Sequence, residues 1–280
     1  MKTTTSDGVC IYTTPFPSNV QGKPYPYQGS WAHFGLSDPL AWFDINYVMH
    51  KMEKMMEQIP AVDPWNCPHA DEWDAMTLQS FYEKESWTKS CRDYLSALAQ
   101  VNLASEPSQV SLLWALWYTK CCGGMHRMCN TDNGAQERKF ENGSMTICEK
   151  LLRLLEGKVE FDAQVCDLQQ DERGVVVATL DGREFQAKHV IMAIPLPLQL
   201  KIHYEPPLSP LRNQLIQRTP VGSAFKMTIY YTKPFWREKG VASLTLLGWT
   251  SYLIVLHEIP FQVNAHKRRF ECFVNAMPFQ

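Results

Sequence analysis

An α+β fold is expected from three observations. Between residues 38 and 157 apolar side chains recur at three- and four-residue steps behind hydroxyl or acidic caps, the pattern of amphipathic helices. From Lys158 onward the period shortens to alternating runs broken by glycine turns, the pattern of strands. With 280 residues and 45% hydrophobic content, the chain can bury one large core or two ordinary ones.

The elements follow in order. The first thirty residues are rich in Thr, Pro, Gly and Tyr, and 21–29 read as turn and loop with room for a short strand pair around them. Asp38 caps a helix whose first turn holds Pro39 and whose buried stripe is Trp42, Ile45, Met49, Met52 and Met56, ending before Pro60. The methionines read as gap-filling core. Thr77 opens a helix to about Glu85, Thr88 one to about Leu103, and Ser108 one through Trp117 to Cys121. Gly143-Ser144 opens a fifth, running through Leu151, Leu152, Leu154 and Leu155 to Gly157.

In the β-rich part, 159–161 and 164–168 alternate, Gly174 turns the chain, and 175–180 form a strand. Asp181-Gly182 is a two-residue hairpin signal before Phe185. Residues 190–194 are a continuous apolar run, expected as a strand covered on both faces. A proline-rich connection, 195–210, leads to a short helix at 211–217, and a strand occupies 224–231.

Composition excludes several classes. Twenty-seven basic and twenty-nine acidic residues give a net charge of −2, and the basic run Lys267-Arg268-Arg269 is too short for a nucleic-acid surface. Residues 1–12 carry no apolar segment of the signal-peptide kind. The nine cysteines are odd in number and irregular in spacing, which suits a reducing compartment. The most apolar run, 241–256, contains Ser243, Thr245, Gly248, Thr250 and Ser251 and is shorter than the ~20 residues of a spanning helix, so no transmembrane anchor is expected here.

Among residues that could carry chemistry, Lys226 stands in an apolar strand with no acid within its neighbourhood. It shares a face with Ala224, Thr228 and Tyr230, while Phe225, Met227, Ile229 and Tyr231 take the other. Two readings stand: a surface charge on a half-wet strand, or a desolvated amine with a lowered pKa. In 133–140 two small residues precede a polar run, so the backbone can approach a ligand and Gln136 can point an amide at it; a solvated turn fits the pattern equally. Cys121-Cys122, His126 and Cys129, with Cys67-Pro68-His69, lack the paired C-x-x-C spacing of zinc sites, and no metal is expected. No G-x-S-x-G, P-loop or H-E-x-x-H occurs, and none of the fourteen glycines forms G-x-G-x-x-G, the cradle of a dinucleotide pyrophosphate.

Several segments together resemble the flavin-containing monoamine oxidase family in order and spacing. They are Gly22-Lys23-Pro24-Tyr25-Pro26-Tyr27, Glu72-Trp73-Asp74-Ala75-Met76-Thr77, Leu116-Trp117-Tyr118, Cys122-Gly123-Gly124 and the 133–140 run. Further along come Ala193-Ile194-Pro195, Lys201-Ile202-His203-Tyr204, and Pro220-Val221-Gly222-Ser223 through Lys226 to Pro234-Phe235-Trp236. The likeness covers about residues 22–236. It implies FAD as cofactor, a small-molecule amine and O2 as substrates, and oxidation of the amine to an imine that hydrolyses to an aldehyde, with peroxide released. In the family the lysine matching Lys226 holds a water beside flavin N5. The resemblance also implies that Gln136 orients the amine, that Leu103, Met128 and Cys129 line the substrate cavity and its gate, and that Val165 and Ala193 lie along the cofactor. Gln100 and Ala104 replace more usual cavity residues, which leaves substrate preference open.

The departures are large. The glycine-bearing βαβ unit, the flavin-linked cysteine, the aromatic cage and the membrane anchor of the family have no counterpart here, and residues 240–280 match nothing in the family pattern. The expected organisation is an unassigned segment 1–20, a mainly helical substrate-binding portion 21–140, and part of an FAD-binding fold with a β-meander at 141–216. A returning substrate-domain strand at 217–239 and a divergent tail at 240–280 complete it. An exposed sheet edge and poor solubility are expected. The resemblance implies an oxidase that is inactive in this form; the alternative is a non-catalytic interaction module, a dimer with a full-length relative being one arrangement. The family implies the mitochondrial outer membrane; without the anchor a cytoplasmic location is expected.

Overall fold

The computed structural model describes residues 38–129, 134–135, 138, 140 and 142–222, and the backbone of the strands at 9–12, 25–28, 225–231, 244–249, 252–259 and 268–276. The chain divides into two compact units, Met1–Arg138 with Gly222–Gln280 and, between them in sequence, Lys139–Val221.

The first unit is built on helices whose caps the sequence marks. Helix α1 (Pro39–Glu57) starts where Asp38 Oδ1 accepts from Ala41 N at 3.0 Å. Its buried stripe holds Ile45, Met49, Met52 and Met56 as expected from the period, together with Val48 and Met55, while Trp42 is only partly covered. Short α2 (Ala70–Asp74) was not legible; it is a single turn anchored by buried Trp73. Thr77 caps α3 (Leu78–Glu85) by accepting from Ser80 N at 3.1 Å, and Thr88 caps α4 (Lys89–Leu103) by accepting from Cys91 N at 3.1 Å.

Helix α5 (Leu112–Cys121) begins later than the sequence suggests, with Ser111 as its cap and not Ser108. Two backbone bonds explain the difference. Leu78 N donates to Val110 O and Leu112 N to Met76 O, which hold 110–112 extended beside the start of α3, and Ser108 falls in the 3-10 turn Pro107–Gln109. A further short helix, α6 (Met125–Cys129), follows the turn Cys122-Gly123-Gly124, where both glycines have positive φ. Its first amide, Met125 N, donates to Glu53 Oε1 of α1 at 3.3 Å. Helix α1 packs on α4 and α5 around Val48, Leu95 and Leu116, each fully buried.

Strand β1 (Val9–Tyr12) pairs antiparallel with β2 (Tyr25–Gln28), in the region read as loop with a strand pair. Helix α7 (Met145–Leu154) and strands β3 (Val165–Asp171), β4 (Gly174–Thr179), β5 (Glu184–Ala187) and β6 (His203–Glu205), with helices α8 (Leu196–Gln199) and α9 (Pro210–Gln217), make up the second unit. Beyond it β7 (Phe225–Tyr231), β8 (Leu244–Trp249), β9 (Tyr252–Ile259) and β10 (Arg268–Ala276) form an antiparallel sheet of order β7-β10-β9-β8 belonging to the first unit.

In the second unit the sheet runs β5-β4-β3-β6, with β3 and β6 parallel. The β4–β5 loop holds three residues, not two: Gly182 N donates to Thr179 O, Thr179 N donates to Arg183 O, and Gly182 has φ +84°. That is a turn followed by a left-handed glycine bulge, which the Asp-Gly pair serves as well as a two-residue turn. Residues 159–161 are not a strand. Nor are 190–194; Ile191 is 90% exposed, and no neighbouring strand among the described residues pairs with this run. Helix α7 buries none of its residues, leaving Met145, Leu151 and Leu154 bare. The unit's buried cluster is Leu168, Val175 and Ile202, and buried Gln199 donates its amide to Ile194 O and accepts from Arg212, while its carbonyl accepts from Tyr204 Oη.

Candidate functional site

Of the residues assigned to an amine-binding wall, Leu103 lies at the C-terminal end of α4, and Cys129 of α6 comes close to that end. Leu103 is the last residue of α4 and is half-buried, and Ala104 closes the helix in the left-handed conformation (φ 51°). One residue earlier, Asn102 Nδ2 donates to Leu98 O at 2.8 Å and approaches Cys129 Sγ of α6 at 4.0 Å. Cys129 is half-buried, whereas Met128 beside it is buried in the helical core. The chain then turns back on α6, because Ala135 N donates to Arg127 O at 2.8 Å. Gln136 follows directly and lies outside the described residues, as do the contacts of its amide.

From the other direction Gly222 arrives against Ala104. A Cβ built on Gly222 would stand 2.5 Å from Ala104 O and 3.0 Å from Ala104 Cβ, so only glycine allows this approach. Strand β7 starts at Phe225, and Lys226 is its second residue, in register with Phe273 of β10. The Lys226 side chain lies outside what the structure describes, and so does the common hollow expected for it and Gln136. The sheet carrying Lys226 leans on α4 through β9.

The flank of Gln136 is bonded to α6 through Ala135 N and Arg127 O, and the lead into the strand of Lys226 meets the C-terminal end of α4 where Gly222 lies against Ala104. Asn102 was missed by sequence reasoning, since an asparagine in a helix interior carries no signal until its neighbour across the turn is known. Val165 and Ala193 fall in the second unit. Val165 begins β3 at a bulge and is half-buried, and Ala193 is exposed in the bare 190–194 run. No group of three His, Cys, Asp or Glu able to hold a metal occurs among the described residues, and no helix there is long and apolar enough to cross a membrane.

Burial dominates the electrostatics of this end of the core. It pushes the Cys129 thiol up to about 11, the Asn102 amide opposing and Cys122 adding to the shift. Burial likewise raises the Tyr82 and Tyr94 phenols and carries Cys91 up to about 12. These thiols are therefore poor nucleophiles at neutral pH. Iodoacetamide is expected to modify exposed Cys121 and Cys148 well before Cys91 or Cys129, read by peptide mass mapping. Because the folded chain keeps the Cys91 and Cys129 protons above the ordinary 9.0, their contribution is complete below about pH 9 and falls as pH rises toward the folded values. The expected loss is on the order of 1 kcal/mol per pH unit per thiol, seen in urea titrations at roughly pH 8 and pH 10. A flat profile would contradict it.

The fold is that of the flavin-dependent amine oxidases. The chain superposes on a putrescine oxidase triple mutant redesigned in its cofactor binding with a TM-score of 0.81, at 20% identity, covering 96% of this chain and 58% of that one. The chain belongs to the flavin containing amine oxidoreductase family, whose model matches residues 5–269. It is 46% identical over 221 residues to a flavin-containing amine oxidase of Danio rerio, covering 79% of this chain and 42% of the relative. To flavin-containing amine oxidase A of Equus caballus it is 43% identical over 220 residues, covering 79% and 41%. The chain thus spans less than half the length of these relatives, and the family match reaches past Lys239 into the region read as a divergent tail.

Proposed function

We propose that this chain supplies the amine-binding wall for flavin-dependent oxidation of a small amine to an imine, with O2 as the final acceptor. The observation that supports it most is that Leu103 and the lead into the strand of Lys226 meet at one end of α4, which α6, bearing Cys129 and bonded to the flank of Gln136, approaches at Asn102. A wall of leucine, cysteine and alanine excludes water and favours the uncharged amine, the form that can be oxidised. The Asn102 amide approaches Cys129 at 4.0 Å, and Gln136 would orient the amine nitrogen by its amide dipole. When bound, the flavin supplies the electron acceptor.

The residues present do not fit the whole of FAD. Its pyrophosphate needs backbone amides at a helix N-terminus opened by glycines, and the sequence has no such motif. In the described residues of the second unit α8 and α9, the helices that follow strands there, start behind Pro195 and Ser209. Val165 and Ala193 can contribute backbone contacts to a cofactor, and no step is assigned through it. The purified chain is expected to be colourless and to release no peroxide from amines; a yellow protein that does so would overturn this part. Amine binding is tested by calorimetry with n-hexylamine. Saturable binding that Cys129→Trp abolishes is expected, and binding that is absent or indifferent to that change would sink the assignment.

A second reading, a non-catalytic module that pairs with a full-length relative, is favoured by the bare stripe of α7 and the exposed 190–194 run. Its test is co-purification with a full-length amine oxidase, weakened by Leu151→Glu with Leu154→Glu. On the resemblance alone we assign such a complex to the mitochondrial outer membrane, which fractionation would check.

A further inference from the structure

Asn142 stands apart from the other asparagines whose side chains the structure describes. Asn46 Nδ2 donates to Trp42 O at 2.7 Å, Asn66 Nδ2 to Asp63 Oδ2 at 2.7 Å, Asn102 Nδ2 to Leu98 O at 2.8 Å and Asn213 Nδ2 to Leu208 O at 3.4 Å. Among the asparagines of 38–129 and 142–222, only the Asn142 amide lacks such a bond. It is also exposed, and glycine follows it, where Tyr47, Cys67, Leu103 and Gln214 follow the others.

These differences bear on one reaction. An asparagine carboxamide carbon and the amide nitrogen of the next residue can close a five-membered ring, provided that the side chain is free to turn and the nitrogen is uncovered. Gly143 has no Cβ, and one built there would find nothing within 4 Å, so neither the residue nor its surroundings shields that nitrogen. Asn142 (φ 63°) and Gly143 (φ 86°) both stand in the left-handed region, which asparagine and glycine tolerate best. Their turn is closed by a backbone bond from Gly143 N to Phe140 O at 3.1 Å. Phe140 is 62% exposed, so water competes for that bond, and its local opening frees the nitrogen.

The same turn leads into α7, whose start is poorly stabilised. Ser144 occupies the cap position with helical dihedrals (φ −67°, ψ −23°) and its side chain makes no capping bond. The first turn of this ten-residue helix also carries no acidic side chain, so the positive end of its dipole is not offset from within the helix.

We propose that Asn142 is a site of spontaneous deamidation that places a carboxylate beside the start of α7. The Gly143 nitrogen, giving its proton to solvent, attacks Asn142 Cγ; the Cγ–Nδ2 bond breaks and Nδ2 leaves as ammonia, which forms a cyclic imide. Water then opens the imide. Addition at Cγ restores the ordinary backbone with aspartate, and addition at the main-chain carbonyl routes the backbone through Cγ as isoaspartate. The net change consumes water, releases ammonia and involves no oxidation.

The test holds the full chain at mildly alkaline pH and follows it by peptide mass mapping. The tryptic peptide 140–150 contains Asn142 and no other asparagine or glutamine. It is expected to take up the mass of an NH2-to-OH exchange, and to divide into aspartyl and isoaspartyl species, at least about tenfold faster than Asn66, Asn102 or Asn213 react. Asn142→Gln, which would need a larger ring, is expected to abolish the change in this peptide. In Asn142→Asp the amides at the start of α7 are expected to exchange with deuterium about two- to fivefold more slowly, the effect of a charge at an exposed helix start. A rate at Asn142 no faster than at the bonded asparagines would overturn the site. Unchanged exchange in N142D would overturn its action on the helix.

Discussion

Replacing Asp44 with alanine is expected to destabilise the helical unit by about 3–5 kcal/mol, the largest single effect of a polar substitution in the described residues. Asp44 is fully buried in the middle of α1, where a charged side chain is otherwise costly. Its Oδ2 accepts from Trp87 N at 2.9 Å, Thr88 N at 2.6 Å and Thr88 Oγ1 at 2.8 Å. These donors stand at the start of α4, so the carboxylate works as a cap supplied by another helix, against the positive end of the dipole. Alanine would leave two partly buried amides and a hydroxyl without their acceptor. Thr88 would also lose the bond that holds its oxygen toward Cys91 N.

Asparagine separates the components of that effect. Its carbonyl can replace Oδ2, but its amide would take the place of Oδ1, a buried oxygen with no partner in the structure, and would bring donors there without an acceptor. Asp44→Asn is therefore expected to fall between wild type and Asp44→Ala, at roughly 1–3 kcal/mol. Urea unfolding followed by helical circular dichroism measures both. An alanine variant within about 1 kcal/mol of wild type would show that water or a shifted backbone replaces the carboxylate.

Asp44 also shows what could not be read from the chain. As a letter it is one acid in a helix whose apolar period is otherwise regular, and its partners lie more than forty residues away. The helix starts at Asp38, Thr77 and Thr88 were legible because a cap acts on amides two or three positions along. Ser108 misled for a related reason: it satisfies the local rule, but long-range pairing of 110–112 with the start of α3 decides where α5 begins. The 190–194 run misled because an apolar pentapeptide is a buried strand only where neighbours exist to cover it. Likewise β6 is three residues of a parallel pair, too short to show any period.

For the candidate site, the resemblance named Leu103 and Cys129, and periodicity put Leu103 at the end of its helix. What neither could supply is the contact between Ala104 and Gly222, which joins segments far apart in the chain. Asn102 belongs to the same class, as its role appears only when α6 is placed beside α4. Of the two residues on which the chemistry was expected to turn, Lys226 follows this contact by four positions in the chain, and Gln136 follows Ala135, which is bonded to Arg127 of α6. Position at the site is thus carried by backbone groups and small residues, which leave little trace in hydrophobic pattern.

Gly222→Ala is accordingly expected to have the second largest effect, about 2 kcal/mol in stability by overpacking and about a tenfold loss of amine affinity. The new Cβ would meet Ala104 O at 2.5 Å, Ala104 Cβ at 3.0 Å and Ala104 C at 3.2 Å, all atoms of a helix terminus and none the end of a flexible side chain. Either the end of α4 or the lead into β7 must therefore move. Gly182→Ala is a useful contrast, since nothing lies within 4 Å there and its cost comes from the positive φ alone. Ala104→Gly adds a second control. It removes the 3.0 Å contact and relieves the left-handed backbone at φ 51°, which alone should stabilise by about 0.5–1 kcal/mol, but it leaves the carbonyl oxygen in place. The double variant is therefore expected to retain most of the Gly222→Ala loss in amine binding even as its stability recovers. Full recovery of binding in the double variant would place the obstruction at the Ala104 methyl group and not at the backbone, and unchanged binding in Gly222→Ala would separate this contact from the amine wall.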